Sequence, residues 1–167
     1  MKTKVWFIAA LIFAGLSLHA QDNKMYDTDK EQEILIGYLN RSDLSQLEFG
    51  DYMTEEYDFY EADHEVIKKL KDLTSNIDIV IVLGTWCQDS QEQVPRFFRV
   101  LDDASFPADP ITIIAVDGKK TGGKVNISDM GIELVPTIIF YREGEEIGRI
   151  VETPEVSLEA DMLSIIQ

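Results

Sequence analysis

The apolar run at residues 77–83 constrains the possible folds of this chain more than any other stretch. It is apolar on both of its alternating faces, which is typical of a central strand that is covered on both sides of a sheet. Gly84 follows the run, and apolar residues then recur at helical spacing from residue 88 to about residue 102. A second apolar run, residues 111–116, is expected to lie parallel to the first. We therefore predict a strand, a helix and a parallel strand, which together form half of an α/β sheet.

Cys87 is the only cysteine of the chain, and it stands at the start of this predicted helix. The unpaired N–H groups and the dipole of a helix N-terminus favour a thiolate over a thiol. Cys87 is therefore a candidate catalytic nucleophile, and the Ser90 hydroxyl is a candidate donor to its thiolate. The carboxylate of Asp89 disfavours a second negative charge nearby and is expected to modulate the ionisation of Cys87. An acid in the first turn of a helix is also favourable on dipole grounds alone, so a structural role for Asp89 stays open.

The sequence Trp86-Cys87-Gln88-Asp89-Ser90 resembles the Trp-Cys-x-x-Cys site of thioredoxins, with a serine in place of the second cysteine. A proline follows eight residues after the cysteine, where thioredoxins also carry a helix-kinking proline. Residues 131–137 are similar to the thioredoxin loop that bears a cis-proline facing the cysteine. The resemblance covers roughly residues 63–167 and implies a thioredoxin-like, three-layer α/β fold, in which a mixed central sheet has helices on both faces.

The same resemblance implies roles for four more residues. Trp86 would cover the thiol, and Val135, Pro136 and Thr137 would form a substrate-binding loop in which a cis bond exposes an extended backbone to an added strand. A trans proline that merely starts the next strand is the alternative at Pro136. The chain departs from thioredoxins at Ile81, because thioredoxins carry a buried acid six residues before the cysteine.

Residues 1–20 have the pattern of a secretory signal peptide: two lysines, an apolar run from residue 5 to residue 18, and the small residue Ala20 before a polar segment. We expect cleavage before Gln21 and a periplasmic or secreted protein, with an uncleaved membrane anchor as the alternative. No cysteine lies at the junction, so a lipoprotein is not expected. No later apolar run is long enough to cross a membrane, so no stable membrane insertion is expected after cleavage.

The formal net charge of −16 at pH 7 disfavours nucleic acid and anionic membranes as partners, since both are polyanions. With one cysteine, no disulfide can form within the chain. One cysteine and one histidine after residue 20, His64, also make a zinc site improbable. The Gly- and Lys-rich residues 118–124 lack the spacing of a phosphate-binding loop. We therefore expect no metal and no cofactor, and expect protein or small-molecule thiols and disulfides as partners.

Residues 21–62 are predicted to form an N-terminal helical extension that precedes the thioredoxin-like domain at 63–167. A helix is expected over residues 26–40, where Thr28 and Glu31 have the spacing of a capping box. Residues 49–60 mix aromatic and acidic side chains. They are interpreted either as a lip that selects a partner beside the thiol or as an extension whose rings pack on the core.

The chemistry of one thiol limits the function. Disulfide reduction by a dithiol needs a second thiol to resolve the mixed disulfide, and Ser90 cannot supply one. We therefore predict thiol-disulfide exchange limited to mixed-disulfide chemistry at Cys87. The alternative is a non-catalytic binding or chaperone-like module that keeps the groove and makes little use of the thiol. A peroxiredoxin-type peroxidase is a third option, which the missing Pro-x-x-x-Thr-x-x-Cys pattern disfavours.

Overall fold

The computed structural model describes residues 23–167, so the predicted signal peptide lies outside the described residues. The strands in these residues are β1 (Lys24–Asp27), β2 (Gln32–Leu35), β3 (Gly37–Leu39), β4 (Asp78–Leu83), β5 (Ile111–Ala115), β6 (Thr137–Arg142) and β7 (Glu145–Val151). The α-helices are α1 (Phe49–Phe59), α2 (His64–Leu70), α3 (Gln88–Asp103) and α4 (Leu158–Ile166). Two short 3-10 helices span Arg41–Ser45 and Ser128–Met130.

Five strands form one mixed sheet in the order β3-β5-β4-β6-β7. The central strand β4 is parallel to β5 and antiparallel to β6, and both outer pairs, β3 with β5 and β6 with β7, are antiparallel. The predicted strand-helix-strand unit with a parallel crossover is therefore confirmed. Its register pairs Leu83 with Ala115 and Val82 with Thr137, which brings the end of β4 beside the start of β6.

One face of the sheet carries the main hydrophobic core, to which all four α-helices contribute buried side chains. Strand β4 presents Ile79, Ile81 and Leu83 to this core. Helix α3 supplies the predicted apolar side chains, and its Phe97 meets Phe140 of β6 edge-on, with ring centroids 6.0 Å apart. Burying one such ring stabilises the fold by about 1.5–3 kcal/mol, so α3 is held firmly against the sheet.

The opposite face is covered by a different kind of layer. Val82 and Ile114 of the sheet pack there against Ile127 and Val135, which belong to the connection between β5 and β6. Within residues 23–167 no α-helix contributes to this cluster, and the helical part of the connection is the 3-10 helix Ser128–Met130. The α/β fold with a mixed central sheet is confirmed, but its second layer is largely a loop.

The helix predicted over residues 26–40 is wrong. This segment forms the antiparallel hairpin β1–β2 and then β3, which pairs with β5 at the edge of the main sheet. The backbone turns through left-handed conformations at Glu31 (φ 56°) and Gly37 (φ 84°), which a helix does not allow. Pairing with distant residues outweighs the local helical pattern here. The division of the chain between residues 62 and 63 stays a prediction.

The acidic and aromatic segment predicted at 49–60 lies along α3. Glu56 of α1 forms an ion pair with Arg96 of α3 at 2.7 Å, and the Tyr57 hydroxyl donates to Asp102 at 2.8 Å. Phe49 is buried, whereas Phe59 is 83% exposed. Most of this segment therefore packs on α3.

Candidate thiol site at the end of strand β4

Cys87 occupies the N-cap position of α3, with extended backbone angles of φ −96° and ψ 125°. It is partly exposed, and its carbonyl accepts the Gln91 N–H at 3.0 Å, which starts the helix. The thiol donates to the carbonyl oxygen of Val135 at an Sγ–O distance of 3.0 Å. The thiol thus lies between a helix start and the loop that precedes β6.

That loop contains a cis peptide bond between Val135 and Pro136. Val135, Pro136 and Thr137 are all buried, and the Thr137 hydroxyl donates to the Leu134 carbonyl at 2.7 Å. Leu134 is the large apolar side chain that the loop exposes, at 44%. A substrate at this loop would therefore meet Leu134 and the backbone, because the side chains of the three predicted binding residues point into the protein.

Ser90 lies within the protein rather than at its surface, with 0% of its area exposed. Its hydroxyl oxygen accepts the N–H of Gly84 at 3.2 Å. Gly84 lies beyond the last β4–β6 pair, which joins Val82 to Thr137. Ser90 thus supplies the acceptor for a buried backbone donor, and its predicted action on the thiolate stays a prediction.

Thr85 holds the same turn from the other side and was missed by the sequence reasoning. Its hydroxyl oxygen accepts the N–H of Leu35 in β2 at 3.2 Å, and its carbonyl accepts the Gln91 side-chain amide at 2.9 Å. The position next to Trp86 was the only hint that Thr85 belongs to the site. Its partner lies 50 residues away in the sequence, so no local pattern indicates the contact.

Trp86 packs against the backbone of the turn at Gly84. Its ring nitrogen donates to the Val116 carbonyl at 2.9 Å. A Cβ atom placed on Gly84 would lie 2.6 Å from the indole, so the ring needs a glycine beneath it. Trp86 and Cys87 both pack against the cluster on the loop-covered face of the sheet, and Trp86 therefore forms one wall beside the thiol.

Two lysines that the sequence reasoning did not assign lie over the Trp86 ring. The ammonium nitrogen of Lys30 is 3.9 Å from a ring centroid, and that of Lys120 is 5.7 Å away. Lys30 comes from the β1–β2 turn and Lys120 from the connection after β5. The hairpin and the connection thus meet over the tryptophan.

The remaining candidates lie apart from these contacts. Asp89 is partly exposed in the first turn of α3, and its influence on the thiol stays a prediction. His64 is exposed at the start of α2 and shares a surface pocket with Lys71 and Arg99. Between residues 23 and 167, no group of three His, Cys, Asp or Glu side chains is arranged to hold a metal ion. Over the same range, every helix is too short or too polar to span a bilayer.

The chain matches no protein-family model and no curated protein sequence. Among solved structures, a Pseudomonas aeruginosa protein of unknown function is similar over 69% of this chain and 70% of its own, with 13% identity and a TM-score of 0.51. An HIV epitope scaffold is similar over 78% of this chain and 92% of its own, with 14% identity and a TM-score of 0.56. Thioredoxin O2 from Arabidopsis thaliana aligns over 67% of this chain and 90% of its own, with 21% identity and a TM-score of 0.42.

Likenesses at these identities concern the fold alone. The fold is defined by features of this chain's own structure. These are the strand order, the parallel β4–β5 pair and the helix that follows the Cys87 turn. The Pro136 loop meets that turn at the same end of the sheet. The chain has an α/β fold with a mixed five-stranded sheet, and this fold is similar to those of the first two structures.

Proposed function

We propose that this is an exported protein that carries out thiol-disulfide exchange through Cys87 alone. The observation that supports the proposal most is the position of the thiol: it is partly exposed at the start of α3, and its sulfur lies 3.0 Å from the Val135 carbonyl of the Pro136 loop. A helix start favours a thiolate, and backbone groups of a loop beside the sulfur suit a peptide partner.

The exchange has one step within this protein. The Cys87 thiolate attacks one sulfur of a disulfide, a new S–S bond forms, and the other sulfur leaves as a thiolate that takes up a proton. No net oxidation occurs, because one disulfide replaces another. An external thiol must then release Cys87 from the mixed disulfide, since the chain has no second cysteine and the Ser90 hydroxyl oxygen is hydrogen-bonded to the Gly84 N–H.

A non-catalytic binding module is the second candidate, and one observation favours it. The Cys87 thiol is engaged as a donor to the Val135 carbonyl, so this contact must break before the sulfur attacks. The same contact occupies the carbonyl with which an added strand would pair. A groove that binds partners through Leu134 and backbone groups would need no thiol chemistry.

Trapping distinguishes the two candidates. The protein is isolated from its native host after acid quenching and alkylation, and disulfide-linked adducts are separated without reductant. Because nothing in the chain resolves a mixed disulfide, the unmodified protein should yield Cys87 adducts that disappear on reduction. Cys87→Ala should yield no adducts. Ser42→Ala, at an exposed position distant in sequence from Cys87, serves as the matched control and should yield the same adducts as the parent. If the parent protein yields no adduct and Cys87→Ala retains the same partners as the parent, the exchange mechanism is refuted and the binding module is favoured.

A further inference from the structure

We propose that Lys30 and Lys120 make the Cys87 site select small disulfides that carry a carboxylate close to the reacting sulfur. The inference rests on the proposed exchange function and assigns it a substrate class. Both ammonium groups lie over Trp86, the residue that directly precedes the thiol. A disulfide that reaches Cys87 past the indole therefore meets two positive charges.

Lys30 is held in place by the turn of the β1–β2 hairpin. The buried carboxylate of Asp27 accepts the N–H groups of Gly118, at 2.8 Å, and of Asp29 and Lys30. The pKa of Asp27 lies below its ordinary value, chiefly because of the Gly118 N–H, followed by the other two N–H groups and the charge of Lys30, which together outweigh burial. The Lys30 side chain also runs along Gly118, where a Cβ would lie 3.0 Å from its Cε. Asp27 thus ties the hairpin to the connection after β5 and aims Lys30 at Trp86.

Lys120 is held by a second carboxylate. Asp117 accepts the backbone N–H groups of Lys119 at 3.0 Å and Thr121 at 2.7 Å, and its carbonyl accepts the N–H of Lys120 at 3.0 Å. This turn puts Lys120 in a left-handed conformation, with φ 59°. The two lysines therefore come from two turns, each held by hydrogen bonds to an aspartate, and both contact the Trp86 indole.

The two ammonium groups contact an aromatic ring rather than a carboxylate. An ammonium over an aromatic face is stabilised by the ring quadrupole without being neutralised. Lys119, in contrast, pairs with Asp29 at 3.5 Å. Within residues 23–167, neither Lys30 nor Lys120 forms an ion pair with a carboxylate, and Asp27 already accepts three backbone N–H groups. Positive charge beside the thiol is thus available to a ligand, although the whole chain carries −16.

A cavity that includes Lys120 provides room for the rest of such a ligand. It has a volume of about 510 Å³, and its lining includes Lys120, Lys124, Ile132 and Glu133. Ile132 packs on the same apolar cluster as Trp86 and Cys87, so the cavity lies on the same face of the sheet as the thiol. Its volume lies within the range of small-molecule sites, roughly 300–1,000 Å³.

Electrostatics favour a small anion over an acidic protein here. The Debye length is about 8 Å at physiological ionic strength, so a small ligand at the thiol responds to the nearest charges, the two lysines and Asp89, more than to distant acids. An acidic protein would place many charges against the acidic surface. At low ionic strength, a unit charge about 7 Å away in water changes a rate about threefold by Coulomb's law, and two lysines therefore account for about tenfold. Physiological salt reduces this factor by screening.

The test compares three disulfides that react with Cys87: 5,5′-dithiobis(2-nitrobenzoate), which is anionic, bis(2-hydroxyethyl) disulfide, which is neutral, and cystamine, which is cationic. In a buffer of low ionic strength, we expect the double variant Lys30→Gln, Lys120→Gln to react about tenfold more slowly with the anionic disulfide. The cationic rate should rise, and the neutral rate should stay unchanged. The control Lys68→Gln, Lys69→Gln removes the same charge from the exposed face of α2 and should change each rate less than twofold. Lys30→Arg, Lys120→Arg keeps both charges and should keep the preference.

Each other outcome overturns the inference. Equal rate changes in the Lys30/Lys120 and Lys68/Lys69 glutamine variants would mean that the net charge of the protein sets the rate, not the position of the lysines. Unchanged rates would mean that the lysines are too far from the sulfur. If the neutral disulfide reacts normally and the anionic and cationic disulfides show no difference in rate, the substrate class alone is refuted. If Cys87 reacts with none of the three disulfides, the proposed exchange function is refuted as well. Thermal melts of all variants exclude loss of folding as the cause.

Discussion

Ser90→Ala tests whether the fourth position of the Trp86–Ser90 motif supports the backbone or the thiol. The Ser90 hydroxyl is fully buried and accepts the Gly84 N–H at 3.2 Å. Gly84 is buried and lies past the end of the β4–β6 ladder. Alanine removes one oxygen and leaves that donor without its acceptor.

The expected cost follows from this geometry. A buried donor left unsatisfied costs about 1–3 kcal/mol, and the lost oxygen leaves only a small void. For a chain of this size, each kcal/mol lowers the melting temperature by about 2–4 °C. We therefore expect Ser90→Ala to lose about 2 kcal/mol of unfolding free energy and to melt roughly 4–8 °C below the parent protein.

Urea unfolding and thermal melts measure this loss, and alkylation of Cys87 by iodoacetamide measures the thiol in the same samples. The alkylation rate of folded Ser90→Ala should stay within twofold of the parent. Ser42→Ala, at an exposed position, should change neither quantity. A variant as stable as the parent but with a severalfold slower thiol would refute the backbone role and assign Ser90 to the thiolate instead.

Three further predictions concern Gly84, Glu159 and Ser90. Gly84→Ala places a Cβ atom 2.6 Å from the indole, so it should displace Trp86, cost about 1–3 kcal/mol and shift tryptophan emission; an unshifted spectrum would contradict this packing. Burial opposes ionisation of Glu159, but the N–H of Asp63 and the hydroxyl of Tyr60 outweigh it and hold its pKa below the ordinary value. The ionised carboxylate should therefore stabilise the folded protein above the unfolded-state pKa of about 4.3, and this stabilisation should be lost as the pH falls through the pKa of Glu159 in the folded protein. The urea midpoint of Glu159→Gln should depend less steeply on pH than that of the parent protein between these two pKa values. Ser90→Cys should give modest dithiol reductase activity in an insulin assay, because the fourth motif position follows Cys87 within one helical turn while Ile81 provides no proton acceptor; activity no greater than that of the parent would show that the two sulfurs do not meet.

Much of the fold could be predicted because its causes are local. The strand β4 is apolar on both faces, and α3 carries its apolar residues at helical spacing. Asp63 caps α2 by accepting the Glu65 and Val66 N–H groups, and the Ser157 hydroxyl accepts the Ala160 N–H at the start of α4. Each of these patterns depends on residues within a few positions of one another, so the sequence alone displays it.

The candidate site could be predicted only in part. The place of Cys87 at a helix start follows from the apolar run and the helical spacing around it. The acceptor role of Ser90 and the inward direction of Thr137 depend on where β4 ends relative to β6, and that register is a property of the sheet. The sequence shows which residues stand near the cysteine but not which backbone groups each one satisfies.

Only the tertiary structure decided the N-terminal segment and what it brings to the thiol. A capping-box pattern at Thr28 and Glu31 indicated a helix, yet residues 24–39 form strands because β3 pairs with β5 and Leu35 donates to Thr85. The same arrangement lets Asp27 accept the N–H of Gly118, 91 residues later. That contact brings Lys30 and Lys120 together over Trp86. Hydrogen bonds between segments so far apart leave no periodic trace in the sequence, because their strength depends on the geometry of the assembled sheet.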